Sequence, residues 1–363
     1  MKRHFDYTLL LMTLLLVGLG LTMIYSASAI LAKERMHDSL YFLKRELAAV
    51  VLGMIGLVVA RLLPLKIFQK MVYPFLGVTL VLMLAVFIPS LGSRVGGATR
   101  WLRLGPVSLQ PSEFAKLALI FFLSYVLSKK KEKIKAFAVG FMPPTVLAGL
   151  LIGLVLLGKD LGNGAVMAVT FFALMYVGGA RLSFLFSEFL LSLPALYMLI
   201  ASEGYRRRRI LAFLNPWAHE KGAGFQIIQS YVAFHSGNFF GQGLGEGKQK
   251  LFYLPEAHTD FIFSVIGEEL GLLGTFAIMT LFLIWLFRAL RIVVKAPDLF
   301  SRYLALGIGT MIGFQAVFNM GVVMGLFPTK GLPLPFISYG GTSMVVSLFC
   351  VGILLNISSQ GKV

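Results

Sequence analysis

The stretch YLPEAHTDFIFSVIGEELG, residues 253–271, joins a polar loop directly to an apolar segment that continues to about residue 287. An apolar segment of this length predicts a helix that crosses a lipid bilayer, which takes about 20 residues. The carboxylate of Asp260 lies at the junction, where such a helix would meet water. This stretch alone leaves two interpretations open, a helix cap and a placed reactive acid.

Apolar segments of similar length recur along the whole chain, which has 363 residues, 58% of them apolar and only 13% charged. Because lipid-exposed backbone must satisfy its own hydrogen bonds, and these segments are continuous rather than alternating, helices are favoured over a barrel. We therefore predict an all-α polytopic membrane protein, one domain over residues 1–363, with about ten transmembrane helices. The spans are expected near residues 8–31, 47–64, 71–91, 113–128, 183–201, 259–287, 303–327 and 342–357, with two more on either side of GKDLGNG at residues 158–164.

The loops predict an orientation in the membrane. Lys2 and Arg3 precede the first span, and the turn KKKEKIK at residues 129–135 is strongly basic. By the positive-inside rule these features place both termini in the cytoplasm. Residues 202–258 then form one large extracytoplasmic loop between helices 7 and 8. Residues 328–341, PTKGLPLPFISYGG, are too rich in proline and glycine for a plain helix and predict a re-entrant or surface loop.

The charge balance and the cysteine count exclude several classes of function. The formal net charge of +17 would suggest a nucleic-acid partner in a soluble protein, but here the basic residues fall in short loops between spans. We therefore predict no nucleic acid and expect anionic lipid or an anionic ligand instead. The one cysteine, Cys350, rules out an intramolecular disulfide and argues against a cysteine-based metal site.

Two motifs carry charged side chains at the outer ends of spans. In QPSEFAK, Glu113 and Lys116 are three residues apart and share one helix face, either as a cap with a snorkelling lysine or as a charge pair lining a polar groove. In GGATRWLRLG, Arg100 and Trp101 fit an interfacial belt and equally a site for phosphate and sugar.

The long loop and the helix after it contain further candidates. The four arginines at residues 206–209 suit lipid headgroups or a diphosphate. GQGLGEG, residues 241–247, fits no nucleotide-binding motif and predicts a flexible turn. Ser264 and Glu268 follow Asp260 at helical spacing, so one face of the eighth span is polar. His258 beside Asp260 is weak support for a metal pair. The loop at residues 328–341 is expected to present Lys330 and Ser338 to a cavity.

Several of these motifs together resemble the SEDS family of cell-wall proteins (shape, elongation, division and sporulation), most closely its cell-division members. The resemblance covers nearly the whole chain. It is carried by YFLKREL (41–47), GGATRWLRLG (96–105), QPSEFAKL (110–117), the DLG of GKDLGNG (158–164), LPEAHTDFIF (254–263) and PTKGLPLPFISYGG (328–341).

The resemblance implies a ten-span peptidoglycan glycosyltransferase that polymerises lipid II into β-1,4 glycan strands on the outer face of the bacterial cytoplasmic membrane, during septal wall synthesis. It implies a class B penicillin-binding protein as transpeptidase partner, other divisome membrane proteins, and undecaprenyl-diphosphate-linked glycan as the growing strand. The family's essential aspartate falls on Asp260. Family positions associated with activity or groove structure fall on Trp101, Glu113, Lys116, Asp160 and Lys330.

The implied reaction assigns roles to these residues. The 4-hydroxyl of an acceptor sugar attacks the anomeric carbon of a donor whose leaving group is a lipid diphosphate. A general base contributes typically about 10²- to 10⁴-fold to such a step, and Asp260 is the candidate. Arg100, Lys116 and Lys330 are expected to stabilise the departing diphosphate. No cofactor is firmly implied, but a divalent cation, Mg²⁺ or Mn²⁺, held by the diphosphate with Asp260 or Glu113 is a further expectation.

Two other functions are alternatives to the enzyme. A lipid II flippase also needs a cationic groove and intramembrane polar groups, but it predicts a polar path across the whole membrane. The polar residues identified above are concentrated on the outer half, which favours the glycosyltransferase. A purely structural scaffold leaves the membrane carboxylates unexplained.

Overall fold

The computed structural model of the protein describes residues 5–95, 98–105, 107–130, 133–222, 224–250, 255, 257–329 and 331–361. The helices α1–α13 are Tyr7–Met36, Tyr41–Leu62, Leu65–Lys70, Val72–Ala85, Pro111–Lys129, Met142–Leu157, Leu161–Val177, Leu182–Ala201, Gly204–Leu214, Phe225–Gly237, Ile262–Lys295, Leu299–Val323 and Gly341–Gln360. The strands β1–β3 are Gly92–Val95, Ala98–Leu104 and Val107–Leu109.

Most of the long helices are suited to a membrane. Within the described residues, 7 helices are long and apolar enough to cross a bilayer: α1, α5, α6 with the π-helical turn before it, α8, α11, α12 and α13. Helices α4 and α7 are apolar but shorter, and α2 becomes apolar only after the charged residues Lys44, Arg45 and Glu46. The predicted class, an all-α polytopic membrane protein, is confirmed, whereas the count of about ten spans stays a prediction.

Helices α5, α12 and α13 form the centre of the bundle. The most apolar stretch of each is largely buried inside the protein, 83% for α5, 67% for α12 and 72% for α13. Helix α5 begins at Pro111, whose fixed φ suits a first helical turn, and it packs against α4, α7 and α12. This packing puts Glu113 and Lys116 in the protein interior rather than at the lipid.

Helix α8 has the opposite character. Only 6% of its most apolar stretch is buried, and within this fully described helix Leu185 alone is buried. An apolar helix without protein neighbours on most sides is stable only where lipid or a partner covers it. Helix α8 therefore forms the outermost wall of the bundle.

A small antiparallel sheet lies between α4 and α5, and the sequence analysis did not predict it. Strand β2 pairs with β1 and with β3, so that Leu102 lies opposite both Gly92 and Leu109. Side chains alternate between the two faces of a strand. The register shifts between Ser93 and Arg94 of β1, so this alternation is interrupted at Arg100 in β2.

The segment at residues 241–250 forms turns, as predicted, and it is hydrogen-bonded to the start of α11. Glu268 accepts hydrogen bonds from the backbone N–H groups of Lys248 and Gln249, at 2.8 and 3.2 Å. Glu269 is buried and pairs with the ammonium group of Lys250 at 2.6 Å, and Ser26 of α1 donates to the same carboxylate at 2.7 Å. Two acidic side chains of α11 thus hold the glycine-rich segment in place.

The segment between α12 and α13 enters the bundle. In its described residues no regular helix forms, and the side chains of Leu332, Leu334 and Ile337 are fully buried. Its backbone reaches the start of α11, where the N–H of Tyr339 donates to the carbonyl of His258 at 3.0 Å. The proline- and glycine-rich loop is therefore packed beside Asp260.

Candidate functional site

A cavity of about 580 Å³ opens at the end of the bundle that carries the sheet. It lies among strand β2, the first turn of α7, the end of α8, helix α9 and the end of α12. Its cationic lining residues are Arg100, Lys159, Arg206 and Arg209, and its apolar lining includes Leu196, Ile200, Ile210 and Phe318. Cations beside an apolar wall suit a ligand that joins an anionic group to a hydrocarbon chain.

Asp160 anchors the cationic side of this cavity. Its carboxylate caps α7 by accepting from the N–H of Asn163 at 3.2 Å, as an aspartate at an N-cap does. The same carboxylate accepts from the side chains of Gln110 and Ser112, at 3.0 and 3.2 Å, and lies 3.9 Å from the guanidinium of Arg100. Asp160 therefore lies within ion-pairing distance of Arg100, and its own carboxylate is buried and hydrogen-bonded.

The four consecutive arginines of α9 divide into two pairs because of helical spacing. Arg206 and Arg209 are three residues apart and face the cavity, whereas Arg207 and Arg208 are exposed. The guanidinium of Arg206 donates to the carbonyl of Leu199 at the end of α8, and that of Arg209 donates to the carbonyl of Thr329 at 3.3 Å. The inward pair joins α8 and the loop after α12 across the cavity.

An ion pair closes the rim of the cavity between α7 and α9. The ammonium group of Lys159 lies 2.7 Å from the carboxylate of Glu203, and both side chains are about one-third exposed, 39% and 32%. The hydrogen bond from Lys159 is the main reason that the pKa of Glu203 lies below its ordinary value. The turn between α8 and α9 is thereby tied to the tip of the α6–α7 hairpin.

Asp260 lies at the edge of the cavity, directly before α11. A Cβ atom added to Gly331, which lines the cavity, would come within 2.6 Å of Asp260 Oδ2. The backbone carbonyl of Asp260 accepts from the side chain of Asn319 at 2.9 Å. The ring of the neighbouring His258 packs against Phe42, with centroids 4.6 Å apart. The carboxylate is thus held between the loop after α12 and the start of α11.

Glu113 and Lys116 form a buried ion pair behind this loop. Lys116 Nζ lies 2.9 Å from Glu113 Oε1, and each side chain is 2% exposed. That oxygen makes no hydrogen bond of good geometry, so the contact is mainly electrostatic. Lys116 also donates to Gln315 at 3.0 Å, and Gln315 donates to the carbonyl of Pro333 at 2.9 Å. The pair therefore supports the loop rather than lining the cavity.

The structure brings some of the predicted site residues together and separates others. Arg100 and Asp160 line the cavity, and Asp260 adjoins it. Trp101 follows Arg100 in β2 but is not among the cavity-lining residues, and Ser338 is buried, with its hydroxyl accepting from the N–H of Leu334 at 2.8 Å. Lys330 lies outside the described residues. The roles of all these residues stay predictions.

The sequence analysis missed several residues of the site. Lys159 stands next to Asp160, and Gln315 and Asn319 are amide side chains four residues apart in the apolar helix α12. A sequence signal for the two amides existed, since polar residues on one face of a membrane helix are functional candidates. No comparable signal marks Lys159, because its approach to Glu203 depends on tertiary packing.

The residues that the structure describes do not form a protein-only metal centre. No group of three or more His, Cys, Asp or Glu side chains in the described part of the chain could hold an ion. Glu113, one of the two predicted ligands, is engaged by Lys116. A divalent cation at Asp260 would therefore take most of its oxygen ligands from a bound diphosphate.

The fold and this site define a class: a multi-pass membrane protein with a cationic, hydrocarbon-walled cavity beside a carboxylate at one end of the bundle. The family model for FtsW, RodA and SpoVE, described as "Cell cycle protein", matches residues 7–363. The chain therefore belongs to this family, which is the SEDS family that its motifs resemble, and that prediction is confirmed.

Individual relatives agree with this membership over their full length. The chain is 49% identical to the "probable peptidoglycan glycosyltransferase FtsW" of Geobacter metallireducens over 359 residues, 99% of this chain and 96% of that protein. It is 41% identical to the "stage V sporulation protein E" of Bacillus subtilis, over 98% of both chains.

Solved structures show the same fold. A chain from a structure entitled "Structural coordination of polymerization and crosslinking by a peptidoglycan synthase complex" superposes with a TM-score of 0.78 at 30% identity, over 98% of both chains. The rod shape determining protein RodA of Thermus thermophilus superposes with a TM-score of 0.73 at 28% identity, over 99% of this chain and 98% of that one.

Proposed function

We propose that this peptidoglycan glycosyltransferase polymerises lipid II into β-1,4 glycan strands and that Asp260 is its general base. The coarser activity, peptidoglycan glycosyl transfer, follows from the family and from the names of relatives that cover the whole chain. The substrate and the base are supported by the site itself.

One observation carries the proposal: the cavity of about 580 Å³ combines cations and an apolar wall, and Asp260 adjoins its lining residue Gly331. Lipid II has a diphosphate between a sugar and a polyprenyl chain. Its diphosphate matches Arg100, Lys159, Arg206 and Arg209, and its chain matches the wall that α8 contributes. Asp260 is then placed near the sugar end, where the glycosidic bond forms.

The chemical step needs one proton acceptor and one stabilised leaving group. The acceptor 4-hydroxyl oxygen bonds to the anomeric carbon of the donor as the bond from that carbon to the diphosphate oxygen breaks. The hydroxyl proton passes to Asp260, which contributes typically about 10²- to 10⁴-fold. Attack from the face opposite the diphosphate inverts the anomeric carbon, so an α-linked donor becomes a β-linked product.

The cations act on the charge that develops as the lipid diphosphate leaves. In a site with little water, preorganised guanidinium groups stabilise that charge more than bulk solvent does. Asp160 lies within ion-pairing distance of Arg100, and Arg206 and Arg209 donate hydrogen bonds to backbone carbonyls. We therefore extend the predicted set from Arg100, Lys116 and Lys330 to these α9 arginines, and place Lys116 behind the loop.

A divalent cation, Mg²⁺ or Mn²⁺, stays part of the proposal. When bound, it would neutralise part of the diphosphate charge. Asp260 is the protein ligand that the geometry favours, since it adjoins Gly331 of the cavity lining, whereas Glu113 lies behind the loop.

The assembly and cellular setting are also proposed. A class B penicillin-binding protein would supply the transpeptidase, lipid II and undecaprenyl-diphosphate-linked glycan would be bound, and other divisome membrane proteins would recruit the pair to the septum. Lys129, Lys133 and Lys135, at the end of α5 opposite the cavity, support cytoplasmic termini and an outward-facing cavity.

Polymerisation of fluorescent lipid II by the purified chain with its transpeptidase partner tests the proposal. Asp260→Asn should lower the rate by at least about 10²-fold, since the amide cannot accept the proton. The matched control is Asp38→Asn, which removes an exposed carboxylate that pairs with Lys44 at 2.7 Å, and it should keep the wild-type rate. Wild-type polymer from Asp260→Asn would refute the base, and lipid transport without polymer would favour a flippase.

A further inference from the structure

Asn319 on α12 holds the backbone on both sides of the candidate base. Its side chain is buried, at 2% exposure. The amide nitrogen donates to the carbonyl of Asp260 at 2.9 Å and to the carbonyl of Leu332 at 2.6 Å. A primary amide has two N–H donors, and both are used here. One side chain thus joins the turn before α11 to the loop after α12.

Gln315, one helical turn earlier, makes the second connection. Residues four apart lie on the same face of a helix. The amide of Gln315 donates to the carbonyl of Pro333 at 2.9 Å and accepts from the ammonium of Lys116 at 3.0 Å. Helix α12 therefore donates hydrogen bonds to the carbonyls of two successive residues, Leu332 and Pro333. The buried Glu113–Lys116 pair orients Gln315 from the side away from the loop.

The position of Asp260 depends on such outside support. Helix α11 begins at Ile262, so Asp260 stands in a turn before the regular helix. The same loop that Asn319 grips passes so close that a Cβ on Gly331 would lie 2.6 Å from Asp260 Oδ2. A shift of the loop relative to Asp260 would therefore change the space in which the carboxylate meets the acceptor.

We propose that Asn319 is a positioning residue, which holds the Asp260 backbone and the loop at residues 331–333 in register so that the carboxylate points at the acceptor hydroxyl. This inference rests on the proposed role of Asp260 as base. Asn319 acts through Asp260 and takes no proton. Misplacing a reacting group by about 1 Å can cost about 10²-fold in rate.

The chain contains a matched control for this residue. Asn356 on α13 is also 2% exposed, and its amide nitrogen donates to the carbonyls of Ala60 and Leu63, at 2.8 and 2.6 Å. It therefore makes the same two kinds of hydrogen bond at the end of α2, away from the cavity. Loss of either amide should cost similar stability, but only Asn319 should affect the reaction.

The test compares Asn319→Ala and Asn356→Ala in the full chain with its partner, by thermal unfolding, initial rates of lipid II polymerisation and the pH dependence of kcat. Both variants should unfold at similarly lower temperatures. Asn319→Ala should lower kcat by about 10- to 100-fold with KM changed less than about twofold, and should move the acidic limb of the pH profile. Asn356→Ala should keep the wild-type kcat and profile.

Asn319→Leu keeps the side-chain volume without burying a charge and serves where the alanine variant does not fold. It removes both N–H donors and should show the same fall in kcat. If Asp260→Asn is inactive while the Asn319 variants match Asn356→Ala in kcat and pH profile, the positioning role is wrong and the function stands. If Asp260→Asn is active, the proposed base itself is wrong.

Discussion

At the scale of single residues, the buried pair of Glu113 and Lys116 decides how charge is tolerated inside the bundle. Each side chain is 2% exposed, and an isolated charge in such a place costs several kcal/mol. The pairing therefore adds little net stability. It offsets the cost of burying each of the two charges. Its use lies in the hydrogen bond from Lys116 to Gln315, which supports the loop beside Asp260.

We expect variants of this pair to affect stability and activity differently. Glu113→Leu or Lys116→Met alone should lower the free energy of unfolding by about 3–5 kcal/mol, because one charge stays buried without its partner. The double variant should recover most of that stability but should not polymerise lipid II, since Gln315 has lost Lys116. Unfolding in mixed micelles measures the first effect, and a double variant as unstable as the two singles added together would contradict it.

At the scale of elements, α11 is two helices joined at Gly271, whose φ of 64° and ψ of −163° interrupt the helix. This break lets the backbone of the glycine-rich segment approach, since a Cβ at Gly271 would lie 2.3 Å from the backbone nitrogen of Gly241. The first part of α11 can therefore carry Glu268 and Glu269 toward that segment while the second part continues through the membrane.

Gly271→Ala should destabilise the protein, since a positive φ is unfavourable for alanine and the new methyl group meets backbone that cannot yield. Gly153→Ala on α6 is the control, because its Cβ meets nothing within 4 Å. That change should be neutral or stabilising by up to about 1 kcal/mol. Thermal unfolding of both variants measures the difference, and equal melting temperatures would exclude strain at Gly271.

At the scale of the whole molecule, the cavity is closed by contacts between parts of the chain that are far apart in sequence. The Lys159–Glu203 ion pair ties the α6–α7 hairpin to the turn before α9, and Arg209 ties α9 to the loop after α12. These contacts lie at the rim, whereas the apolar wall is α8, of which little is buried. The charged groups at the rim are partly exposed, so the contacts there are the ones in the cavity that depend on pH and salt concentration.

The ion pair at the rim should respond to acid. Because the pKa of Glu203 is lowered in the folded protein, its stabilising contact is complete above the ordinary pKa and is lost as pH falls through the lowered value. Glu203→Gln should speed hydrogen exchange in residues 203–214 at neutral pH, and the wild type should approach it in acid, after correction for intrinsic exchange. Asp38→Asn is the control, and unchanged exchange in Glu203→Gln at neutral pH would contradict the contact.

The sequence alone predicts the membrane class, the family and the importance of Asp260, because apolar length and contiguous motifs are local properties. It does not predict the small sheet, whose strands are short and lie in a loop rich in glycine and arginine. Nor does it show which cations meet at the cavity. Lys116 is basic and lies near the cavity end of its span, yet the structure pairs it with Glu113 behind the loop. Convergence depends on how helices pack, which spacing along one helix cannot reveal.

Because little of α8 is buried by protein, this helix should respond to the thickness of the bilayer. A helix that is longer than the surrounding hydrocarbon adjusts by tilting, and α8, with 20 residues, has the smallest buried share among the candidate spans of the described residues. Tilt of α8 would move Leu196 and Ile200, and with them one side of the cavity. Membrane thickness and acyl-chain composition are therefore physical variables of the substrate site, set by the cell's lipids rather than by the polypeptide.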